Sequence, residues 1–147
     1  MTVPLNVFIS YSHNALDRPL LDELLKHLAP LQLAENPLLK TWDDADIRPG
    51  EAWDEEIKQN LRAADIVFLL VSADFNSSRY IQEIELKEAI QRHQRRECQV
   101  IPIYLRPCDF RGMPYAGLEM LPKVPATQRL AAVTDQSHWQ NTDLAFT

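Results

Sequence analysis

Glycine and cysteine are scarce in this chain, with 3 and 2 among 147 residues. Three scattered glycines build no Gly-rich phosphate loop, which removes the dinucleotide-binding and P-loop readings together. Two cysteines, Cys98 and Cys108, make neither a disulfide framework nor a zinc site, and a reducing, cytoplasmic location fits best. Positive charge is also short. Fifteen Lys and Arg stand against 21 Asp and Glu, a net charge of -6. That balance argues against direct nucleic-acid binding. No apolar run reaches roughly 18 residues, so no membrane span is expected. The first residues, Met1-Thr2-Val3-Pro4, lead straight toward a strand, without a basic segment and signal-like apolar stretch. Repeats and low-complexity tracts are missing as well.

What is present is ordinary globular composition, 46% hydrophobic and 24% charged. The length suits one domain with a real core. Apolar runs at residues 5–11, 38–42, 65–72 and 99–105 read as strands. Those at 65–72 and 99–105 lack polar alternation, as strands covered on both faces do. Pro102 inside the last run points to a sheet edge or a bulge. Between the strands lie helical patterns. At 16–28, Leu20, Leu21, Leu24, Leu25 and Leu28 form one stripe, with Asp17 as the capping residue. At 51–64, Trp53, Ile57, Leu61 and Ala64 face inward. Beyond Arg106, prolines break the pattern into loops and short turns, and residues 143–147 read as the opening turn of a helix. Strands alternating with helices give an α/β, flavodoxin-like three-layer sandwich around a central parallel sheet of four to five strands.

In such sheets ligands bind beyond the carboxyl ends of the strands. The third strand ends at Ser72, and the next helix brings Glu83, Glu85 and Glu88 there. At helical spacing Ile81, Ile84, Glu85 and Glu88 share a stripe, with Leu86 and Ile90 on a second patch. Glu85 therefore sits among apolar neighbours and is favoured over Glu83, which should face water. A solvated helix face, with the acids paired to Lys87 and Arg92, is the bland alternative. The acids Asp43, Asp44 and Asp46 read more readily as loop and capping residues than as a cation site. Trp42 and Trp53 are core candidates as much as ligand platforms. Cys98 reads as core, and Cys108 as an exposed thiol. No strained Gly-x-Ser-x-Gly elbow accompanies Ser10, Ser12 and His13, which disfavours a serine hydrolase.

Three blocks carry a resemblance. The first is Val-Phe-Ile-Ser-Tyr-Ser-His at 7–13. The second is Trp-Asp-Asp-Ala-Asp-Ile-Arg-Pro-Gly-Glu-Ala-Trp at 42–53, close to D-x-x-I-x-P-G-x-x-W. The third runs from Ser72 to Ala89 and is similar to S-x-x-(F/Y)-x-x-S-x-(W/Y) followed by an acid. Together and in order they resemble a TIR (Toll/interleukin receptor/resistance protein) domain of bacterial type, over residues 4–108 and more loosely beyond. The chain departs from the pattern in three places. Asn14-Ala15 replaces an acid after the Ser-His pair, Tyr80 stands where Trp is common, and Glu85 falls five residues after that aromatic rather than four. That slip keeps Glu83 as an alternative.

The resemblance implies a single TIR domain over 1–147, the N-terminal part of a longer multidomain protein with a fused sensor domain C-terminal to it. It implies an NAD+ glycohydrolase, an NADase releasing nicotinamide and ADP-ribose or a cyclic variant, as an effector of antiphage innate immunity. NAD+ is then the substrate, with no cofactor and no metal. Nicotinamide leaves NAD+ as a neutral molecule and needs no general acid, so one carboxylate suffices to steady the oxocarbenium-like ribose. Glu85, or alternatively Glu83, takes that catalytic role. Phe8, Ser10, Tyr11, Trp42, Arg48, Trp53, Ser72 and Tyr80 are the substrate-binding candidates. Asp43, Asp44, Asp46, Ile47, Arg48, Pro49 and Gly50 form the expected assembly loop through which other TIR domains complete the site, in a homo-oligomer or filament. The alternative is a non-catalytic signalling scaffold that acts by TIR–TIR assembly. A response-regulator receiver is disfavoured, because its phosphate-accepting Asp is replaced by Val71-Ser72 at the end of the third strand.

Overall fold

The computed structural model describes residues 4–43, 53–78, 81–137, 139 and 141–146. For Trp53, Asp54 and Glu83 it describes the backbone only. Four strands, β1 (Leu5–Ser10), β2 (Leu39–Trp42), β3 (Ile66–Val71) and β4 (Gln99–Tyr104), pair in the order β2-β1-β3-β4, all parallel. The expected α/β sandwich is therefore found, with four strands in its sheet. The helices are α1 (Asp17–Leu33), α2 (Trp53–Ala63), α3 (Ala73–Ser77), α4 (Lys87–Gln94) and α5 (Thr142–Phe146). A π-helical turn, Ile81–Leu86, leads directly into α4.

The period-two alternation of the strands sorts the core onto two faces. Phe8, Val67, Leu69 and Val71 join Ile57 and Leu61 of α2 and Leu86 and Ala89 of the π turn and α4. On the other face Val7, Ile9 and Leu70 meet Leu20, Leu21 and Leu24 of α1 and Ala145 of α5. Both faces are covered, which accounts for strands without polar alternation.

Pro102 lies on an edge strand, as its presence suggests. Its carbonyl accepts from Leu121 N at 3.0 Å on the outer side of β4. The side of the residue that lacks an N–H thus faces away from the β3–β4 ladder, and no sheet bond is lost. In place of a fifth full strand, Leu121 makes an isolated parallel bridge to Ile103, and Val133 N donates to Tyr104 O.

Two local expectations are corrected. Helix α1 runs five residues past the expected end at Leu28, with Pro30 inside it. Its last turn is held from outside: the Gln32 side chain accepts from Thr41 N at 3.1 Å, and Leu38 N donates to Leu31 O. Nor does Asp17 cap this helix. The Asn14 side chain does, accepting from the backbone N–H groups of Leu16 and Asp17 at 2.9 Å each. Asp17 is then the first helical residue and turns inward, fully buried.

Candidate active site

The carboxyl ends of the strands converge on one side of the sheet, as in every open parallel α/β fold. Ser10 ends β1 at 1% exposure, and its hydroxyl is buried with no hydrogen-bond partner among the described residues. A buried hydroxyl with no partner is costly, of the order of 1–3 kcal/mol. It is also a ready donor or acceptor for whatever enters beside it. Phe8, two residues back on the same face, is buried and stacks on Trp42 at 5.2 Å and 28°. Trp42 is half-buried, and the cavity of about 100 Å³ that it borders is lined by Asn6, Val7, Lys40, Asn60 and Ala63, toward the starts of β1 and β2. Asp43, next along the chain, is buried within electrostatic reach of Arg18.

Tyr11 is not brought to the Phe8–Ser10 face. It packs with Val7 and Ile9 on the α1 side. Its ring stacks on His13 at 4.6 Å, and its hydroxyl accepts from Arg18 Nη1 at 2.7 Å. Ser72 sits at the site but is engaged twice. It caps α3 by accepting from Phe75 N at 3.1 Å, and it donates to Asp17 Oδ2 at 2.5 Å.

Glu85 lies in the π-helical turn and is 4% exposed. Ile81 and Leu86, at the two ends of that turn, are buried at 3% and 0%. In an α-helix residues five apart point in different directions. A turn closed by i→i+5 bonds holds one more residue, so it brings both apolar side chains into one core with Glu85 beside Leu86. The buried stripe then continues through Ala89 and Arg92. This corrects the stripe drawn from regular helical spacing. Ile84 and Glu88 fall outside it and border a groove with Lys58 and Arg62, where Glu88 Oε1 is 3.5 Å from Arg62 Nε. Arg92 likewise does not face solvent as a partner for these acids; it is 10% exposed, and the acid beside it is Glu97, 3.5 Å away. Its guanidinium donates to the carbonyls of Leu61 at 2.7 Å and Ala64 at 2.9 Å, closing the end of α2.

The structure reveals a second acid that sequence reasoning had set down as a cap. Asp17 is buried among Ser72 Oγ at 2.5 Å, Arg106 Nε at 2.6 Å and Asn14 Nδ2 at 3.0 Å. Arg106 reaches on to Asp74 Oδ2 at 2.5 Å. Burial alone would lower the Arg106 pKa, but its bonds to Asp17 and Asp74 outweigh that and raise it. This cluster ties the starts of α1 and α3 to the segment after β4. The one sequence signal was three polar residues, Asp17, Ser72 and Arg106, each next to a predicted strand end or helix start.

Cys108 is half-buried rather than exposed, with Asn76 Nδ2 donating to its sulfur at 3.6 Å. Burial pushes its thiol above the usual range, against thiolate chemistry. Among the substrate-binding candidates, Arg48 and Tyr80 lie outside the described residues, and the side chain of Trp53 is outside them too. The same holds for Asp44, Asp46, Ile47, Pro49 and Gly50 of the loop and for the side chain of Glu83.

Sheet order, two covered faces and a polar cluster at the carboxyl ends define a flavodoxin-like α/β domain. The chain belongs to the TIR-domain family, whose profile matches residues 7–137. It is similar to the uncharacterized protein y4lF of Sinorhizobium fredii (strain NBRC 101917 / NGR234), with 38% identity over 143 residues. That alignment covers 96% of this chain, which spans 40% of the relative's length. Its fold is similar to the TIR domain of the Toll-related receptor TRR-2 from Hydra magnipapillata, with a TM-score of 0.53. Identity there is 21%, over 95% of this chain and 96% of the other, a likeness of fold alone. No helix among the described residues is long and apolar enough to cross a membrane.

Proposed function

We propose that this TIR domain is a self-association-dependent NAD+ glycohydrolase in which Glu85 steadies the ribose cation left when nicotinamide departs. The observation that carries the reading is Glu85 itself, an acid at 4% exposure on the helical segment that follows β3, in a fold class that binds ligands beyond its strand ends. Out of water, a carboxylate interacts more strongly with a developing positive charge. The leaving group departs neutral, so no second acid is needed. The Ser10 hydroxyl, unpartnered among the described residues, suits a ribose hydroxyl, and the Phe8–Trp42 stack gives one wall. NAD+ is the substrate, and other TIR domains are the partners, meeting this one through the loop from Asp43 to Gly50. A cytoplasmic place in bacterial antiphage immunity, with a sensor fused C-terminally, completes the proposal.

A second reading is a non-catalytic assembly module. The burial of Glu85 in a single copy favours it, since substrate reaches the acid only if neighbouring segments move or a second copy reshapes the mouth. The two readings part in one experiment. The purified domain, clustered on a surface at high density, is incubated with NAD+ and free nicotinamide is followed. The glycohydrolase reading expects release by the wild type and its loss in Glu85→Gln, with Glu83→Gln as the register control. No release from clustered wild type, or equal release from Glu85→Gln, leaves the assembly module standing.

A further inference from the structure

The strongest unassigned cluster of side chains lies where α5 packs on α1, over the sheet face opposite the one that Ile81 and Leu86 cover. Glu23 and His27 stand one helical turn apart on α1, so their side chains project from the same face. Asp143, in the first turn of α5, faces them from the other end of the sequence. His27 Nε2 is 3.0 Å from Asp143 Oδ1. One ligand-type atom from each of the three residues lies within 4.8 Å of the others.

We propose that Glu23, His27 and Asp143 bind a divalent transition-metal ion of the zinc class, which clamps α5 to α1. The donor set is one imidazole nitrogen and two carboxylates, a borderline set that suits zinc, with water completing the coordination. At metal–ligand distances of about 2.0–2.2 Å the donors must draw closer than 4.8 Å. The adjustment is small and falls on exposed groups. Asp143 is 66% exposed, and the Glu23 carboxylate is otherwise paired at 3.3 Å with Lys26, itself 73% exposed. His27 is the better-placed ligand, 27% exposed, with the Phe146 ring against it at 5.7 Å. Its orientation is thus set by the same helix that supplies Asp143. The ion fixes the position of α5, and the inference stands apart from NAD+ chemistry.

The test uses the whole chain after treatment with a chelator. Zinc chloride is titrated in by calorimetry, and thermal unfolding is followed with and without the ion. One-to-one saturable uptake and a rise in Tm that the chelator reverses are expected. His27→Ala and Asp143→Asn should each weaken uptake by roughly 10- to 100-fold, the scale seen for groups that support metal ligands, and flatten the Tm response. Glu23→Gln should do the same to a smaller degree. If His27→Ala folds poorly by circular dichroism, the exposed Asp143→Asn decides alone. Absence of saturable uptake by the wild type overturns the proposal, and so does full uptake by Asp143→Asn.

Discussion

Asp17 and Glu85 are both acids taken out of water, at 0% and 4% exposure, on the helical segments that follow β1 and β3. Asp17 begins a regular 17-residue helix and is embraced by donors from three other segments. Glu85 rides on a widened turn between two short helices. The first arrangement is that of a group whose charge has already been spent on holding the fold. Widened turns recur at functional sites because they aim a side chain that regular geometry would turn elsewhere. Burial alone therefore does not mark a working acid, and the backbone that presents it tells more.

The largest expected effect breaks the Asp17 side of this contrast. Arg106→Ala leaves the Asp17 carboxylate buried with only Ser72 and Asn14 as donors, and removing one partner of a buried pair costs about 3–5 kcal/mol. Asp17→Ala should cost less. Arg106 is 20% exposed and keeps Asp74, so its charge stays paired and can reach water. Urea unfolding of the two variants measures the asymmetry. Equal losses would mean that Arg106 is as confined as Asp17.

Glu85→Gln should show the opposite balance. Its side chain keeps volume and polarity, so stability should fall by less than in Arg106→Ala. Nicotinamide release by the clustered domain should fall by about 10²- to 10³-fold, the scale of losing one preorganised electrostatic contact. A variant that loses stability but keeps activity would place Glu85 beside Asp17 as a structural acid.

Arg92→Met tests the end of the widened turn's stripe. The carbonyls of Leu61 and Ala64 lose a charged donor, worth about 1.5–3 kcal/mol. The long methionine preserves much of the packing, so this loss should fall below that of Arg106→Ala. A fall of the same size in urea unfolding would show that the end of α2 anchors the domain as firmly as the Asp17 cluster.

Much of this contrast could be read before the structure. The apolar runs located all four strands, and four-residue spacing placed Ile57 and Leu61 inward, because burial on both faces leaves a strong periodic signature. Glu85 was legible through its place after Ser72 and through family resemblance. The widened turn was not, since spacing rules assume one helical period. It shows in the sequence only in that Glu85 falls fifth, not fourth, after Tyr80. Asp17 was hidden for a different reason. A polar residue before a helix reads as a cap, and nothing local reveals that Asn14 takes that role. Its partners Ser72 and Arg106 are 55 and 89 residues away, brought together by β-strand order alone. Pro30 misled similarly, because tertiary bonds to Gln32 and Leu31 hold a turn that local propensity would end.

The smallest effect joins the Asp17 cluster to a neighbour. Burial raises the Cys108 thiol, while the nearby Arg106 guanidinium pulls it down. A thiol raised in the folded state holds its proton more tightly than in the unfolded chain. Its contribution to stability is thus present below the unfolded-state value and fades as pH rises through the folded one. Alkylation of Cys108 at neutral pH should be slow and should accelerate only in the alkaline range. In Arg106→Ala, under conditions where the variant stays folded, the onset should move to still higher pH and the neutral rate should drop a little further. An unchanged profile would show that the guanidinium's field is consumed by Asp17 and Asp74 and does not reach the thiol. Faster alkylation would instead report that the cluster had loosened and exposed Cys108 to solvent, a kinetic sign that Asp17 holds this end of the sheet closed.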